Sequence, residues 1–419
     1  MTFYGRILMQ EPSYMIAIPK DQGLIEDPKN FLGNLTSCAF IKINDMDIDD
    51  TRGLVVDLTI GDNDYEVEIN PTGVEIPDFV RPEHAFTDEE VKMLDEAQAG
   101  LSVCFDYEGD SNQCFYDQLR IIDALFPELL AVLDCPSEKL LSGKWVSLAA
   151  KSSVLPAPRY LFTVQAISDG GDEVWLHTHG LKRCGLYELE ILNSNKEFFN
   201  DHYKMIEAFA LRMLESDESI EPGDAVFIGQ AAGKQLTLTA VDWKEALEHY
   251  PDVTLGTEED RDDGVHGEDT CVLMIYKNER AEEQQIYTPV DDFNQFLGQN
   301  PMFYFSTEET KRMSALARER LPYMIKAFGN KENTVIAKIG LTIDKEHWSN
   351  PDKPEKEHIW FEIKDIKNDS VVGELTQEPY YVSGMKQGDT GTYPFSDITD
   401  WLIFTKENRV SPDDAYLLD

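Results

Sequence analysis

Apolar positions in the first eighty residues come in short runs bounded by turn-forming residues. Residues 15–19, 39–43 and 54–60 read as strands, and a turn at 61–64 leads into 65–69 as a hairpin. The period then lengthens. Thr87 with Glu90 three residues on is a capping box, Phe86 is placed to staple onto Val91, and Val91, Leu94 and Ala97 recur at helical spacing up to Gly100. A strand-like run at 101–107 follows. Next comes a helix from about Gln113 to Leu125 with Phe115, Leu119 and Ile122 on one stripe, after which Pro127 redirects the chain.

Beyond a loop at 151–158, strands at 160–167 and from 175 onward flank a DGGD turn at 169–172, so the pattern predicts a three-strand meander. Ser194 and Glu197 read as a second capping box, for a helix with Tyr203, Ile206, Phe209 and Met213 on one side and His202 as a packing or surface residue. GQAAGKQ at 229–235 looks like a phosphate loop. It lacks the glycine spacing and the hydroxyl after Lys234, and a strand-like run follows it, so a hairpin turn is the better reading. Strands are expected at 271–276 and 302–305. Ser306 and Glu309 then cap a long helix carrying Met313, Leu316, Arg320 and Met324, kinked at Pro322, and strands at 334–343, 359–366 and 371–375 follow it.

This order predicts an α+β protein: an N-terminal sheet-and-helix sandwich region, then a small C-terminal curled sheet or partly closed β-barrel with a leading helix. The expected divisions are 1–219, 220–305 as a smaller segment that can belong to the first, and 306–419. A length of 419 residues suits two or three domains at roughly 150 residues each.

Candidate chemistry concentrates at 175–192, WLHTHGLKRCGLYELEIL. Alternation puts His177 and His179 on one strand face with Trp175, and puts Glu188 and Glu190 on the polar face of the following strand. His177, His179, Glu188 and Cys184 are therefore the candidate metal ligands, with zinc the ion they would suit. No established metal signature has this spacing, and strand histidines bonded to neighbouring carboxylates are the plainer explanation. Asp45, Asp47 and Asp49 do not make a calcium loop, because Asp50 stands where glycine is needed and Val56 where a bidentate glutamate is needed.

Composition narrows the setting. A 42% hydrophobic fraction permits a sizeable core, while 37 basic against 79 acidic side chains give a net charge of −42. Such a surface repels phosphate backbones and anionic membranes, which argues against nucleic acid or membrane as the primary ligand and favours a basic partner or simple solubility. The segment 251–269, with EEDRDDGVHGED, reads as a solvated loop or disordered excursion. Six dispersed cysteines, no apolar run of membrane length and no leader-like N-terminus point to a reduced, cytoplasmic protein.

In the last third, Glu357, His358, Trp360, Gly373, Leu375, Glu378, Pro379, Gly388, Asp389, Ile398, Asp400 and Trp401 form an ordered set of anchors. They resemble the YegJ-like bacterial domain of unknown function. The region with HTHGLKRCGLYELEI resembles the companion domain of unknown function found ahead of it. The resemblance implies no established activity, and some related domains look like immunity proteins of toxin systems. Tyr380, Tyr381 and Trp401 are candidates for a binding face, provided that they are exposed. Glu357 and His358, adjacent on a strand, point to opposite faces and do not cooperate directly. With no nucleophile elbow or phosphate loop, the favoured reading is a protein-interaction or binding module of immunity or regulatory type, without a required cofactor and with an unknown partner. The rivals are a metal-dependent hydrolase centred on the histidine ribbon and an acidic decoy for a basic enzyme.

Overall fold

The computed structural model describes residues 10–261, 266–267, 269–298, 301–303, 306–350 and 352–418. The readings made above for the N-terminal nine residues, for 262–265 and 268 of the acidic segment, and for 304–305 lie outside the described residues. The chain divides into two compact units, one made of Met1–Ala150 and Pro156–Phe305 and the other of Lys151–Leu155 and Ser306–Asp419. The class is α+β, as the pattern predicts.

The first unit holds two sheets among the described residues. The first sheet runs, in spatial order, Ile41–Asp49, Gly53–Ile60, Asn63–Gly73, Ala99–Phe105, Ser13–Pro19, Leu129–Asp134, Lys139–Ser142 and Arg81–Pro82. Ile16, Ile18, Leu130, Leu133 and Leu140 form one cluster with Leu94 of the helix Asp88–Glu96. The helix Ser111–Leu125 buries Phe115, Leu119 and Ile122, the stripe that its spacing predicts. Leu129–Asp134 is buried at every position, so neither face alternates and no strand period shows in its sequence. The Thr87 capping box forms, but Val91 is exposed and Leu94 carries the helix contact.

The second sheet runs Met302–Phe303, Val226–Ala231, Lys234–Asp242, Thr270–Ile275, Glu188–Asn195, Glu173–His179 and Thr163–Ile167. Its pairings are antiparallel except between Glu188–Asn195 and Thr270–Ile275. One face, with Leu176, Leu189, Ile191, Leu238 and Leu273, packs on Met205, Ile206, Phe209 and Met213 of the helix Phe199–Glu215. The other face carries Trp175, Leu192, Val272 and Met274 and is covered by Trp243 and Tyr250. Ser194 does not cap the helix. It is the last residue but one of its strand and bonds the buried His202, while the Asn195 side chain accepts from the amides of Glu197 and Phe198. The phosphate-loop lookalike is a hairpin: Ala231 pairs with Lys234, and Ala232 and Gly233 have φ of 50° and 72°, as a two-residue turn of the right-handed ribbon requires.

The second unit is an antiparallel sheet in the order Thr390–Pro394, Ser370–Leu375, Lys356–Ile366, Thr334–Thr342, Ile398–Phe404 and Arg409–Val410. Its leading helix breaks in two, Thr307–Glu319 and Leu321–Phe328, because Pro322 lacks an N–H to continue the ladder. Ser306 caps the first piece, accepting from the Glu309 amide at 3.0 Å. No helix among the described residues is long and apolar enough to cross a membrane.

A candidate three-histidine metal centre

The strand Glu173–His179 sends Val174 and Leu176 into the helix-covered core and Trp175, His177 and His179 to the opposite face. Across the ladder, His177 faces Gln165 on one neighbour and Glu190 on the other. Residues opposite one another share a face, so the polar side of this ribbon is real. His177 and His179 lie with ring centroids 4.8 Å apart, and His177 lies 4.9 Å from Trp175.

A third imidazole completes the group, and it comes from the acidic segment. His266 lies 4.6 Å from His177 and 5.3 Å from His179, centroid to centroid, and 4.9 Å from Trp175. One ring nitrogen from each histidine falls within 4.8 Å of the others. A tetrahedral zinc ion with bonds of about 2.0–2.1 Å needs its nitrogens about 3.4 Å apart, so a bound ion would draw the rings inward by an ångström or so. His177 and His179 are buried and His266 is half-buried.

The sequence reading of 251–269 as a solvated loop holds for the exposed residues 251–252, 254 and 258–260, but an ion pair and two tryptophans fasten Gly256, Arg261 and His266 to the sheet. Arg261 donates to both oxygens of Glu190, each at 2.6 Å, and to the carbonyls of Gly256 at 2.9 Å and His266 at 3.0 Å. Its guanidinium lies over the Trp243 ring at 4.3 Å. The Trp243 indole donates to the Gly267 carbonyl at 2.8 Å, and the Trp175 indole donates to Glu190 at 3.1 Å. Gly256, at φ 77°, comes so close that a Cβ would meet Leu192 at 2.6 Å and the Trp175 ring at 3.2 Å. These contacts hold the carbonyls on both sides of the undescribed residues and thereby place His266. A lone arginine in a run of acids, with a tryptophan ahead of it, was the sequence signal for this docking.

Glu138 approaches from the first sheet. It occupies the turn between Leu129–Asp134 and Lys139–Ser142 at φ 53°, and its Oε2 lies 3.8 Å from His179 Nε2. The Gln165 side-chain amide donates to the same carboxylate. Burial raises the Glu138 carboxyl above its ordinary range, with Gln165 and then His266 opposing the shift.

Two of the four ligands expected from sequence stand elsewhere. Glu188 turns back to close the strand end, accepting from Thr178 Oγ1 at 2.6 Å and from the amides of Gly180 at 2.9 Å and Lys182 at 3.2 Å. Gly180, at φ 110°, makes that turn possible, since a Cβ would lie 2.5 Å from the Leu161 carbonyl. Cys184 sits on the 3-10 turn Lys182–Cys184 with its thiol 3.9 Å from the Gly180 carbonyl and outside the group of three imidazoles, and burial pushes that thiol up to about 11. At the other candidate face, Tyr380 is 83% and Tyr381 50% exposed, their amides bound by Glu357 at 2.8 and 2.9 Å. Trp401 is fully buried and donates to the Ala317 carbonyl at 2.9 Å, so it belongs to the core under the leading helix rather than to that face.

Family models match three stretches of the chain. Residues 13–156 match the N-terminal part, and residues 164–274 the C-terminal part, of a protein of unknown function (DUF4026). Residues 308–412 match an uncharacterized protein conserved in bacteria (DUF2314), which is the description that stands where the motif resemblance gave the YegJ-like name. No curated protein and no solved structure matches. The chain thus carries two successive domains of unknown function that share one family designation, followed by a third that is conserved in bacteria.

Proposed function

We propose that this protein binds a divalent transition metal, zinc foremost, through His177, His179 and His266. The observation that carries the reading is the convergence of three imidazoles from two separate stretches of chain on one point. Imidazole nitrogen suits zinc and its borderline neighbours, whereas calcium and magnesium prefer all-oxygen sites. The shape of the ligand set supports binding more than turnover: Trp175 packs on His177 and His266, and the docked excursion covers the sheet face around them. The free thiols of all six cysteines support a reducing, cytoplasmic setting.

The test is metal analysis of the full chain after chelation and reconstitution with zinc. One ion per chain is expected, and tight binding is expected to be lost in the His177→Ala/His179→Ala double variant while the far-ultraviolet circular dichroism is kept. An unchanged stoichiometry in that variant would reject the site.

A second reading, a protein-contact module, is favoured by the exposure of Tyr380 and Tyr381 beside His347, whose ring lies 5.1 Å from that of Tyr381. The net charge of −42 supports a basic partner for it.

A further inference from the structure

We propose that Glu138 is the fourth ligand of this ion, so that the bound metal ties the first sheet of its unit to the second. The inference rests on the three-histidine reading and gives that site its coordination number and its mechanical role.

Four observations carry it. The first is distance: Glu138 Oε2 lies 3.8 Å from His179 Nε2, at the edge of the three-histidine group. The second is direction. The carboxylate comes from a turn of the first sheet, a third stretch of chain, while the histidines come from the strand Glu173–His179 and from the excursion behind it. The third is the backbone of the turn. Glu138 holds a left-handed φ of 53°, a conformation that favours glycine, with its amide donating to the Cys135 carbonyl at 3.2 Å and its carbonyl accepting from the Arg81 amide at 3.3 Å. A non-glycine residue held in that region is a conformation that tends to cluster at ligand sites. The fourth is support from behind: Gln165, directly across the ladder from His177, donates its amide to the Glu138 carboxylate. Ligating carboxylates are characteristically oriented by such a neighbour.

Charge favours the same arrangement. Three neutral imidazoles leave both positive charges of a zinc ion uncompensated in a largely buried place, and one carboxylate removes half of that burden. Among the described carboxylates, Glu190 does not supply it, because both of its oxygens are taken by Arg261. A carboxylate in the fourth position closes the site, as in structural rather than catalytic zinc centres.

The experiment uses the full chain loaded with cobalt(II) in place of zinc. The wild-type protein is expected to show the intense visible bands of a four-coordinate ion, unchanged by added azide. Glu138→Gln is expected to weaken and shift those bands, to open the site to azide and to lower cobalt affinity by more than the roughly 10- to 100-fold typical of residues that orient a ligand from behind. If Glu138→Gln does not fold, Gln165→Ala is the second variant, with a smaller loss in the same direction, and the azide titration of the wild type needs no variant at all. Azide-sensitive bands in the wild type, or bands and affinity unchanged in Glu138→Gln, would overturn the fourth ligand. Both outcomes are distinguishable from failure of the site itself, which would show as cobalt binding that survives His177→Ala/His179→Ala.

Discussion

Arg183 and Arg261 are both buried, and each grips one carboxylate with two hydrogen bonds, yet they do different jobs. Arg183 meets Asp134 at 2.6 and 3.0 Å, and its two terminal nitrogens also reach the Leu161 carbonyl at 2.7 Å and Ser13 Oγ at 3.3 Å. Asp134 ends a strand of the first sheet and Arg183 lies just past a strand of the second, so this pair joins the two sheets. Arg261 meets Glu190 within a strand, and the same two terminal nitrogens also donate to carbonyls of its own irregular segment. The first pair locks elements that regular hydrogen bonding already defines. The second gives shape to a stretch that has little secondary structure, and the shape delivers a histidine. Buried ion pairs are weak sources of net stability because desolvation offsets most of the attraction, and here their yield is geometry.

Removing one partner exposes the difference. Asp134→Ala leaves a guanidinium enclosed between sheets, over the rings of Phe115 at 5.3 Å and Tyr107 at 5.7 Å, with no route to water. A loss of about 3–5 kcal/mol in unfolding free energy is expected, the largest effect proposed for this molecule. Urea titration measures it, and a loss below about 1 kcal/mol would mean that Arg183 finds water and that the two arginines are alike.

A neutral buried group sharpens the contrast with these charged ones. His202 is fully buried, with Ser194 Oγ and Asn294 Oδ1 each 2.8 Å from a ring nitrogen. The asparagine oxygen can only accept, so Nε2 carries the hydrogen and Nδ1 accepts from the serine hydroxyl. Burial holds this imidazole down to about 4. The folded state therefore keeps it neutral where the unfolded chain takes up a proton below about 6.5. Its contribution is complete above that pH and is lost as pH falls from about 6.5 toward 4, by about 3 kcal/mol at most. Urea midpoints at pH 7 and pH 5, for the wild type and for His202→Gln, should show a steeper acid loss in the wild type. Equal losses would remove His202 from the account.

Much of this architecture was legible from period alone, for reasons visible in particular residues. Leu176 alternates with His177, and Leu189 and Ile191 alternate with Glu188 and Glu190; these strands are buried on both faces, but one face carries polar side chains, so the alternation still shows in the sequence. Leu129–Asp134 is buried on both sides, so its apolar run has no alternation to read. The candidate site was half legible. His177 and His179 share a face because strand geometry requires it, but His266 joins them from almost ninety residues away, through contacts of Arg261 and Trp243 that no local pattern encodes. Glu188 shows the opposite failure. Its alternation was right, but a carboxylate at the start of a strand finds the amides of the preceding turn, here those of Gly180 and Lys182, before it finds an ion.

The smallest effect tests the second arginine by itself. Glu190→Gln keeps the size of the side chain and an oxygen for the Trp175 indole, but it removes the charge that faces Arg261. Because Arg261 belongs to an irregular segment, it can leave for water with that segment, and the enclosed charge that makes Asp134→Ala costly never arises. What is lost is the placement of His266, whose carbonyl Arg261 holds at 3.0 Å. Zinc affinity is expected to fall about tenfold, the lower end for residues that orient a ligand from behind. Trypsin cleavage after Arg261, slow while that side chain is buried, is expected to quicken, and zinc should slow it again. An unchanged zinc affinity together with unchanged cleavage would show that the excursion holds its shape without this pair. Arg261 would then be one more scaffold arginine, and the contrast with Arg183 would be gone.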